Sequence, residues 1–271
     1  MEHFLTNEEL VIRQSLPLEV KVEMTKRRIE EFINEYGING VYVSFSGGID
    51  STVLLHIARQ VNSDIKAVFL DTWLEYPQIR QFVKQYENVD VIKPQKSMKQ
   101  IINESGWCFP SKDVAECIEA YRRGLKWAEN KLNGLDSKGQ KSEFRQQYKK
   151  WLPLAESDIN ISHKCCIEMK EKPVKKYEKE TDRKPIVGLM AEESARRKEA
   201  YLRTGCNSFN SNRPMSKPIG FWTKQDILRY LFVNDISIAE PYGEIVEQGQ
   251  RSLCKDCKLI TTGESRTGCM F

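Results

Sequence analysis

No stretch of the chain is apolar for long enough to cross a bilayer, and its opening residues, Met1 to Glu9, are acidic and lack the apolar core of a secretion signal. A cytoplasmic protein with no membrane partner is expected. Internal repeats and low-complexity tracts are also missing, which sets aside solenoid and disordered-tract classes. The charge imbalance is slight: a net +4 does not by itself call for nucleic acid, although it suits anionic substrates. Cysteine is in generous supply, with eight in 271 residues and no secretion signal to accompany them. That combination speaks against a disulfide scaffold and for thiol or metal chemistry in a reducing compartment. A chain of this length, 40% hydrophobic and 30% charged, has room for one large α/β domain with additions or for two small domains. A homo-oligomer stays open.

The most informative stretch runs from Val41 to Leu55, VYVSFSGGIDSTVLL. A β-branched apolar run ends in a Ser/Gly/Asp turn, and apolar residues at helical spacing (Val53, Leu54, Ile57, Ala58) follow, which predicts strand, tight loop and helix N-terminus. Paired glycines admit close backbone approach, and the first amides of a helix have no intrahelical partner, so such a junction binds anions, phosphate above all. The candidate nucleotide-binding residues here are Ser44, Ser46, Gly47, Gly48, Asp50 and Ser51. The stretch lacks the Gly-Lys-Ser/Thr ending of a Walker loop and the G-x-G-x-x-G of a dinucleotide fold. The order Ser-Gly-Gly-x-Asp-Ser resembles the pyrophosphate loop of the adenine-nucleotide α-hydrolase superfamily. That resemblance implies a loop holding the phosphates of ATP or the phosphosulfate of an activated sulfate.

Ahead of the loop, apolar positions at Val20, Val22, Met24, Ile29, Phe32 and Ile33 predict a helix over 18–36 that ends at Gly37. Behind it, Lys66 to Thr72 reads as a second buried strand with a polar tip, followed by a helix from Pro77 to Tyr86 and a third strand, Val89 to Ile92. Strands alternating with helices predict an α/β fold with a doubly wound, mostly parallel sheet. Ligands of such sheets bind off the carboxyl ends of the strands, where Ser46-Gly47-Gly48 and Asp71-Thr72 both fall, so Asp71 and Thr72 join the candidates. From 112 to about 150 a charged, aromatic-bearing segment breaks the rhythm and reads as a helical insertion around a turn near Gly134 to Gly139. A solvated hairpin is preferred there over a substrate lid or a nucleic-acid surface. Pro185 to Leu189 is a further strand, and Thr223 with Asp226 caps an amphipathic helix through Ile227, Leu228 and Leu231. From Pro241 onward the chain reads as loop-like. The expected organisation is a helical lead-in (1–37), a nucleotide-binding core (38–111), the helical insertion (112–160), a continuation of the core with a Cys-Cys pair (161–240) and a cysteine-bearing C-terminal segment (241–271).

Cys165-Cys166 and the distant Cys254-x-x-Cys257 form the second strong signal. Two thiolates on one turn grip one metal or one cluster edge, and a second pair completes four sulfur ligands. Composition does not separate zinc from iron and sulfur, although an adjacent pair is unusual for zinc. The pattern resembles the adenylyl-sulfate/phosphoadenylyl-sulfate reductase family, and the likeness implies that Cys165, Cys166, Cys254 and Cys257 hold a [4Fe-4S] cluster. Around the pair that family has Cys-Cys-x-x-Arg-Lys-x-x-Pro-Leu, and this chain keeps Lys170 and Pro173 but not the arginine. Asp71 to Pro77 resembles Asp-Thr-Gly-x-x-Phe-Pro, Gly188 to Arg197 resembles Gly-Leu-Arg-x-x-Glu-Ser-x-x-Arg, and Phe221-Trp222-Thr223 with Asp226 resembles the family's Trp-Thr-x-x-Asp helix start. Order and spacing agree from about residue 38 to 257, with the insertion excepted. Lys170 and Arg197 are then expected to act on the anionic ligand. Cys108, Cys117 and Cys206 read as packing residues, and His163 as either a structural residue or a donor beside the pair.

Two departures divide the functional reading. The family's nucleophilic cysteine lies near the C-terminus in Glu-Cys-Gly-Leu-His, whereas Cys269 stands in Arg266-Thr267-Gly268-Cys269-Met270-Phe271, and Met190 replaces a usual arginine. The phosphate loop, by contrast, is intact, as in relatives that cleave ATP between the α and β phosphates. The first reading is a thiol-dependent reductase of an adenylated sulfate, with Cys269 as nucleophile and a thioredoxin- or glutathione-type reductant as partner. The second is an ATP pyrophosphatase, with Mg²⁺ positioned by Asp50, that adenylates an acceptor, nucleic acid included, before sulfur insertion. A third is a nucleotide sensor that does not turn its ligand over.

Overall fold

The computed structural model of the chain describes residues 4–248 and 258–267. These residues divide into two compact units: one takes those up to Ile92 and from Tyr177 onward, the other Lys93–Lys176. Among the described residues no helix is long and apolar enough to cross a membrane.

The first unit opens with α1 (Asn7–Ser15), a helix absent from the expectation above although Thr6 and Glu9 spell its start: each side chain accepts from the other's backbone amide in a capping box. α2 (Leu18–Tyr36) ends at Gly37, whose φ of +74° a residue with a side chain would strain to adopt. β1 (Val41–Ser44), α3 (Ile49–Val61), β2 (Ala67–Leu70), α4 (Pro77–Val83) and β3 (Val89–Ile92) follow in the predicted order. Lys21 is buried beneath α2 yet stays paired, donating to Asp226 Oδ2 at 2.7 Å and to the Gln14 carbonyl at 2.6 Å. A buried ammonium needs such partners to offset its desolvation.

The second unit holds α5 (Met98–Ser105), α6 (Lys112–Arg122), α7 (Lys126–Leu132), α8 (Leu152–Ala155) and α9 (Lys164–Cys166), the last running through a π-helical turn, Ile167–Glu171, into α10 (Lys172–Thr181). The expected hairpin around Gly134 to Gly139 takes a different form. α6 and α7 are joined at Gly124, φ +74°, and the Gly134–Gly139 turn comes after both, closed by a bridge between Leu135 and Lys141. Val114, Ile118, Ala128 and Leu132 bury against one another, so the insertion has its own small core beneath its charged face.

The chain then returns with β4 (Lys184–Ile186), α11 (Ala195–Thr204), β5 (Asn207–Ser208), β6 (Met215–Ser216) and α12 (Lys224–Val233). The sheet order is β3-β2-β1-β4-β6-β5, parallel throughout except for the antiparallel β5–β6 pair at one edge. The mostly parallel α/β sheet is therefore as expected, and the strand order reverses direction between β1 and β4. The C-terminal segment is not wholly loop-like: β7 (Ile245–Gln248) pairs antiparallel with β8 (Lys258–Thr261). That pairing joins segments separated in sequence, which local periodicity does not reveal.

Candidate functional site

The loop after β1 is built by its own serines. Ser51 Oγ donates to the Gly48 carbonyl at 2.9 Å, receives the Ser46 amide at 3.2 Å and lies 3.0 Å from Ser46 Oγ, while the Gly48 amide donates to Ser46 Oγ at 3.3 Å. Gly47 sits at φ +73°, packed so closely on α4 that an added Cβ would meet Ile79 Cγ2 at 2.9 Å and Val83 Cγ2 at 3.0 Å. Gly48 caps α3 with no side-chain hydrogen bond of its own, the Ile49 amide reaches the Tyr242 hydroxyl, and the loop lies at the positive end of the helix.

A cavity of about 350 Å³ opens off this loop, at the β1/β4 reversal where doubly wound sheets bind their ligands. Ser44, Ser46, Gly48, Asp50 and Ser51 line one side, and Glu193, Arg197, Lys224 and Arg266 line the other. Glu193, its side chain 10% exposed, pairs with both Arg197 and Arg266, and its carboxylate also accepts the Met190 amide at 3.1 Å. Lys224 opens α12, its backbone amide donating to Glu192 at 2.6 Å, and burial lowers the pKa of its ammonium. Tyr242 and Thr267 close the rim, their hydroxyls 2.6 Å apart. Three cations against two carboxylates leave the lining with a net positive charge.

Asp50 Oδ1 is buried with no hydrogen-bond partner among the described residues. Burial raises its carboxyl pKa, with Glu193 adding to the effect and Lys224, Arg266 and Arg197 opposing it. A carboxyl raised on folding contributes stability that is full below the unfolded carboxylate range and lost as pH climbs through the folded value. Asp50→Asn removes that loss. The variant, without ligand, is expected to melt with the parent at acid pH and above it at neutral pH, read as melting temperature across pH 4–8; an advantage that grows on acidification would refute the assignment.

Of the remaining candidates, Asp71 and Thr72 stand at the carboxyl end of β2 and are nearly buried. Asp71 lines a separate cavity of about 500 Å³ with Arg80 and Tyr86 rather than the one at the loop. Cys165, Cys166 and Lys170 belong to the second unit. Cys165 is buried, Cys166 is half-buried, and a hydrogen bond to Cys165 together with burial pushes the Cys166 thiol pKa up against the pull of Lys112 and Lys170. His163 pairs with Glu119 Oε2 at 2.8 Å. Among the described residues no group of three or more metal-ligating side chains assembles. Cys254, Cys257 and Cys269 lie outside the described residues. Cys117 and Cys206 are core packing, as read from sequence, and Met190 is buried at 2% exposure, so the position where the family has an arginine is apolar filling. Glu193, Lys224 and Tyr242 were not identified from sequence as lining the site. Glu193 closes a short turn and Arg197 lies in the first turn of α11, with the extended Ser194 between them, so no helical spacing in the sequence announces their pairing.

A family model for the phosphoadenosine phosphosulfate reductase domain matches residues 40–136 and 112–259. The chain belongs to this family. Its relatives include an adenosine 5′-phosphosulfate reductase of Bacillus thuringiensis (strain Al Hakam), 27% identical over 237 residues that cover 86% of this chain and 80% of the relative. The corresponding reductase of Bacillus mycoides (strain KBAB4) is 27% identical over 238 residues, covering 87% and 80%. An uncharacterised protein of Methanocaldococcus jannaschii is 25% identical over 84% of this chain and 43% of its own length. Among solved structures, a phosphoadenylyl-sulfate reductase from Candida auris in a phosphate complex matches 87% of this chain and 90% of its own at 12% identity and a TM-score of 0.47.

Proposed function

We propose that this chain reduces an adenylated sulfate to sulfite. The observation that carries the reading is the cavity at the β1/β4 reversal, where the Ser46–Ser51 loop faces Arg197, Lys224 and Arg266 in a chain of the reductase family. In this reading the loop amides and the cations hold the phosphosulfate, and Glu193 holds the two arginines in place. The Cys269 thiolate attacks the sulfate sulfur; the bond from that sulfur to the phosphate oxygen breaks, the nucleotide leaves with its electron pair, and a thiosulfonate remains on the cysteine. A thiol of a thioredoxin- or glutathione-type reductant then attacks Cys269 Sγ, releasing sulfite, and a second thiol resolves the mixed disulfide, so two electrons reach the sulfur.

Cys165, Cys166, Cys254 and Cys257 would hold the [4Fe-4S] cluster. The described half of that set suits it: two thiols on successive residues at a helix start, within hydrogen-bonding contact, the first buried and the second half-buried. A cluster held there would tie the two cysteine-bearing segments together and add rigidity. Lys170, on the π-turn after the pair, sets its positive charge beside the Cys166 thiol.

One observation favours the second reading. The unpartnered Asp50 oxygen at the head of α3 is a ready ligand for Mg²⁺ on a pyrophosphate, as ATP cleavage would require. Anaerobic protein incubated with adenosine 5′-phosphosulfate or its 3′-phosphorylated form plus thioredoxin, and separately with ATP and Mg²⁺, decides between them. Sulfite from the first is expected; pyrophosphate from the second without sulfite from the first refutes the reductase and supports an adenylating enzyme.

A further inference from the structure

We propose that a second cavity, lined from α1, α2 and α11, binds a doubly charged phosphoryl group, carried either by free phosphate or by a small phosphomonoester. It measures about 470 Å³ and shares no described lining residue with the cavity at the phosphate loop. Arg13 of α1, Arg28 of α2 and Arg203 of α11 line it, against Glu31 as the one carboxylate among the described lining residues. Glu31 is engaged by Arg28: both its oxygens accept from Arg28 Nη1 at 2.8 Å, and Oε2 also takes the Asn207 amide at 3.2 Å. The other two guanidiniums have no counter-charge. Arg13 Nη1 donates to the neutral Tyr201 hydroxyl at 3.2 Å, and Arg203 is exposed and makes no hydrogen bond or ion pair among the described residues. Two positive charges match the charge of about −2 on a phosphoryl group, and the planar donor fork of arginine fits its oxygens.

The wall behind the cavity carries a second, independent observation. Lys217 is only 8% exposed, and its ammonium donates to the hydroxyl of Thr204, a lining residue, at 2.7 Å. No carboxylate reaches it among the described residues. Burial lowers its pKa; Cys206 opposes that and Arg203 adds to it, and the Cys206 thiol is itself pushed up by burial and stays neutral. Lys21, the other lysine buried to this depth among the described residues, has Asp226 at 2.7 Å. A buried ammonium is costly unless an opposite charge stands near it. The carbonyl end of α11, which Thr204 closes, supplies only about half a charge. An anion held beyond Thr204 by Arg13 and Arg203 supplies the rest. The loop cavity is served by the other end of the same helix: Arg197 stands in the first turn of α11, about 9 Å along the axis from Arg203.

The test is calorimetric titration, at fixed ionic strength, of the parent, R203Q, R13Q and K224Q with inorganic phosphate and with glycerol 3-phosphate. R203Q and R13Q remove guanidiniums from two different helices, so each tests the cavity without the other, and K224Q weakens the loop cavity instead. The expected result is a phosphate site that R203Q and R13Q each weaken about tenfold or more and that K224Q leaves within about threefold of the parent. Tighter binding of glycerol 3-phosphate than of phosphate identifies a phosphomonoester as the ligand, and the reverse order identifies free phosphate; both uphold the site. A parent that binds neither probe overturns the proposal. Binding that K224Q weakens and R203Q leaves at the parent value places the anion at the phosphate loop and overturns it as well, while leaving the reading of that loop standing.

Discussion

Replacing Cys269 with serine is expected to cut sulfite formation from an adenylated sulfate by on the order of 10⁴-fold or more, while nucleotide affinity stays within about threefold of the parent. The size follows from the chemistry: a neutral alcohol is a poor nucleophile toward sulfur, and the thiosulfonate that splits the reaction into two easier steps has no serine counterpart of similar lability. The retained affinity follows from the proposed site, in which the loop serines, Arg197, Lys224 and Arg266 that line the cavity would hold the anion without the thiol. Ser265, Arg266 and Thr267 line the same cavity, and Cys269 follows Thr267 by two residues in sequence. Single-turnover sulfite release and equilibrium nucleotide binding, measured side by side, check it. Sulfite formation that survives the substitution would remove Cys269 from the chemistry. Pyrophosphate release from ATP that is indifferent to the change would favour the adenylating enzyme.

The largest expected loss of stability is at Gly47. Alanine there faces two costs: the positive φ of +73° and a methyl group driven against the β-branched carbons of Ile79 and Val83 at 2.9 and 3.0 Å. Left-handed strain costs about 1–2 kcal/mol and overpacking about 1–3 kcal/mol, so Gly47→Ala is expected to lose roughly 2–5 kcal/mol, a fall of about 5–15 °C in melting temperature. Gly124→Ala is the internal control. It shares the positive φ, +74°, but has nothing within 4 Å of the added carbon, so its loss should stay near the strain contribution alone, about 1–2 kcal/mol. Equal melting of the two variants would show that the close packing of the loop on α4 carries no energy. The same packing ties stability to binding, because α4 presses on the loop that presents the α3 amides, and nucleotide affinity is expected to fall in Gly47→Ala and not in Gly124→Ala.

The strand-loop-helix unit around Ser46–Ser51 was legible because its information is local: a β-branched run, paired glycines and a helical period lie within fifteen residues, Val41 to Leu55. The capping box at Thr223 and Asp226 and the end of α2 at Gly37 were legible for the same reason. The α/β class followed from the alternation of such local units. The helices α1 and α5 carry comparably local signals, Thr6 with Glu9 and Ser97 with Gln100, and were missed because both helices are short, nine and eight residues, with few buried positions to set a period. The β7–β8 pair and the β5–β6 edge lay beyond such reading, since two- to four-residue strands are defined by partners rather than by pattern.

By itself the sequence determined the strand-loop-helix unit at Ser46–Ser51, the alternation of core strands and helices along the chain, and the two cysteine pairs, all written in neighbouring residues. Tertiary structure alone decided that Glu193 holds Arg197 and Arg266 together, that Lys224 and Tyr242 share a cavity with Asp50, and that Asp71 turns to a different one. The reason is physical: a strand or a cap is chosen by forces acting over a few residues, whereas the charge balance of a cavity is summed over segments as far apart as 50 and 266, which only the tertiary fold brings together.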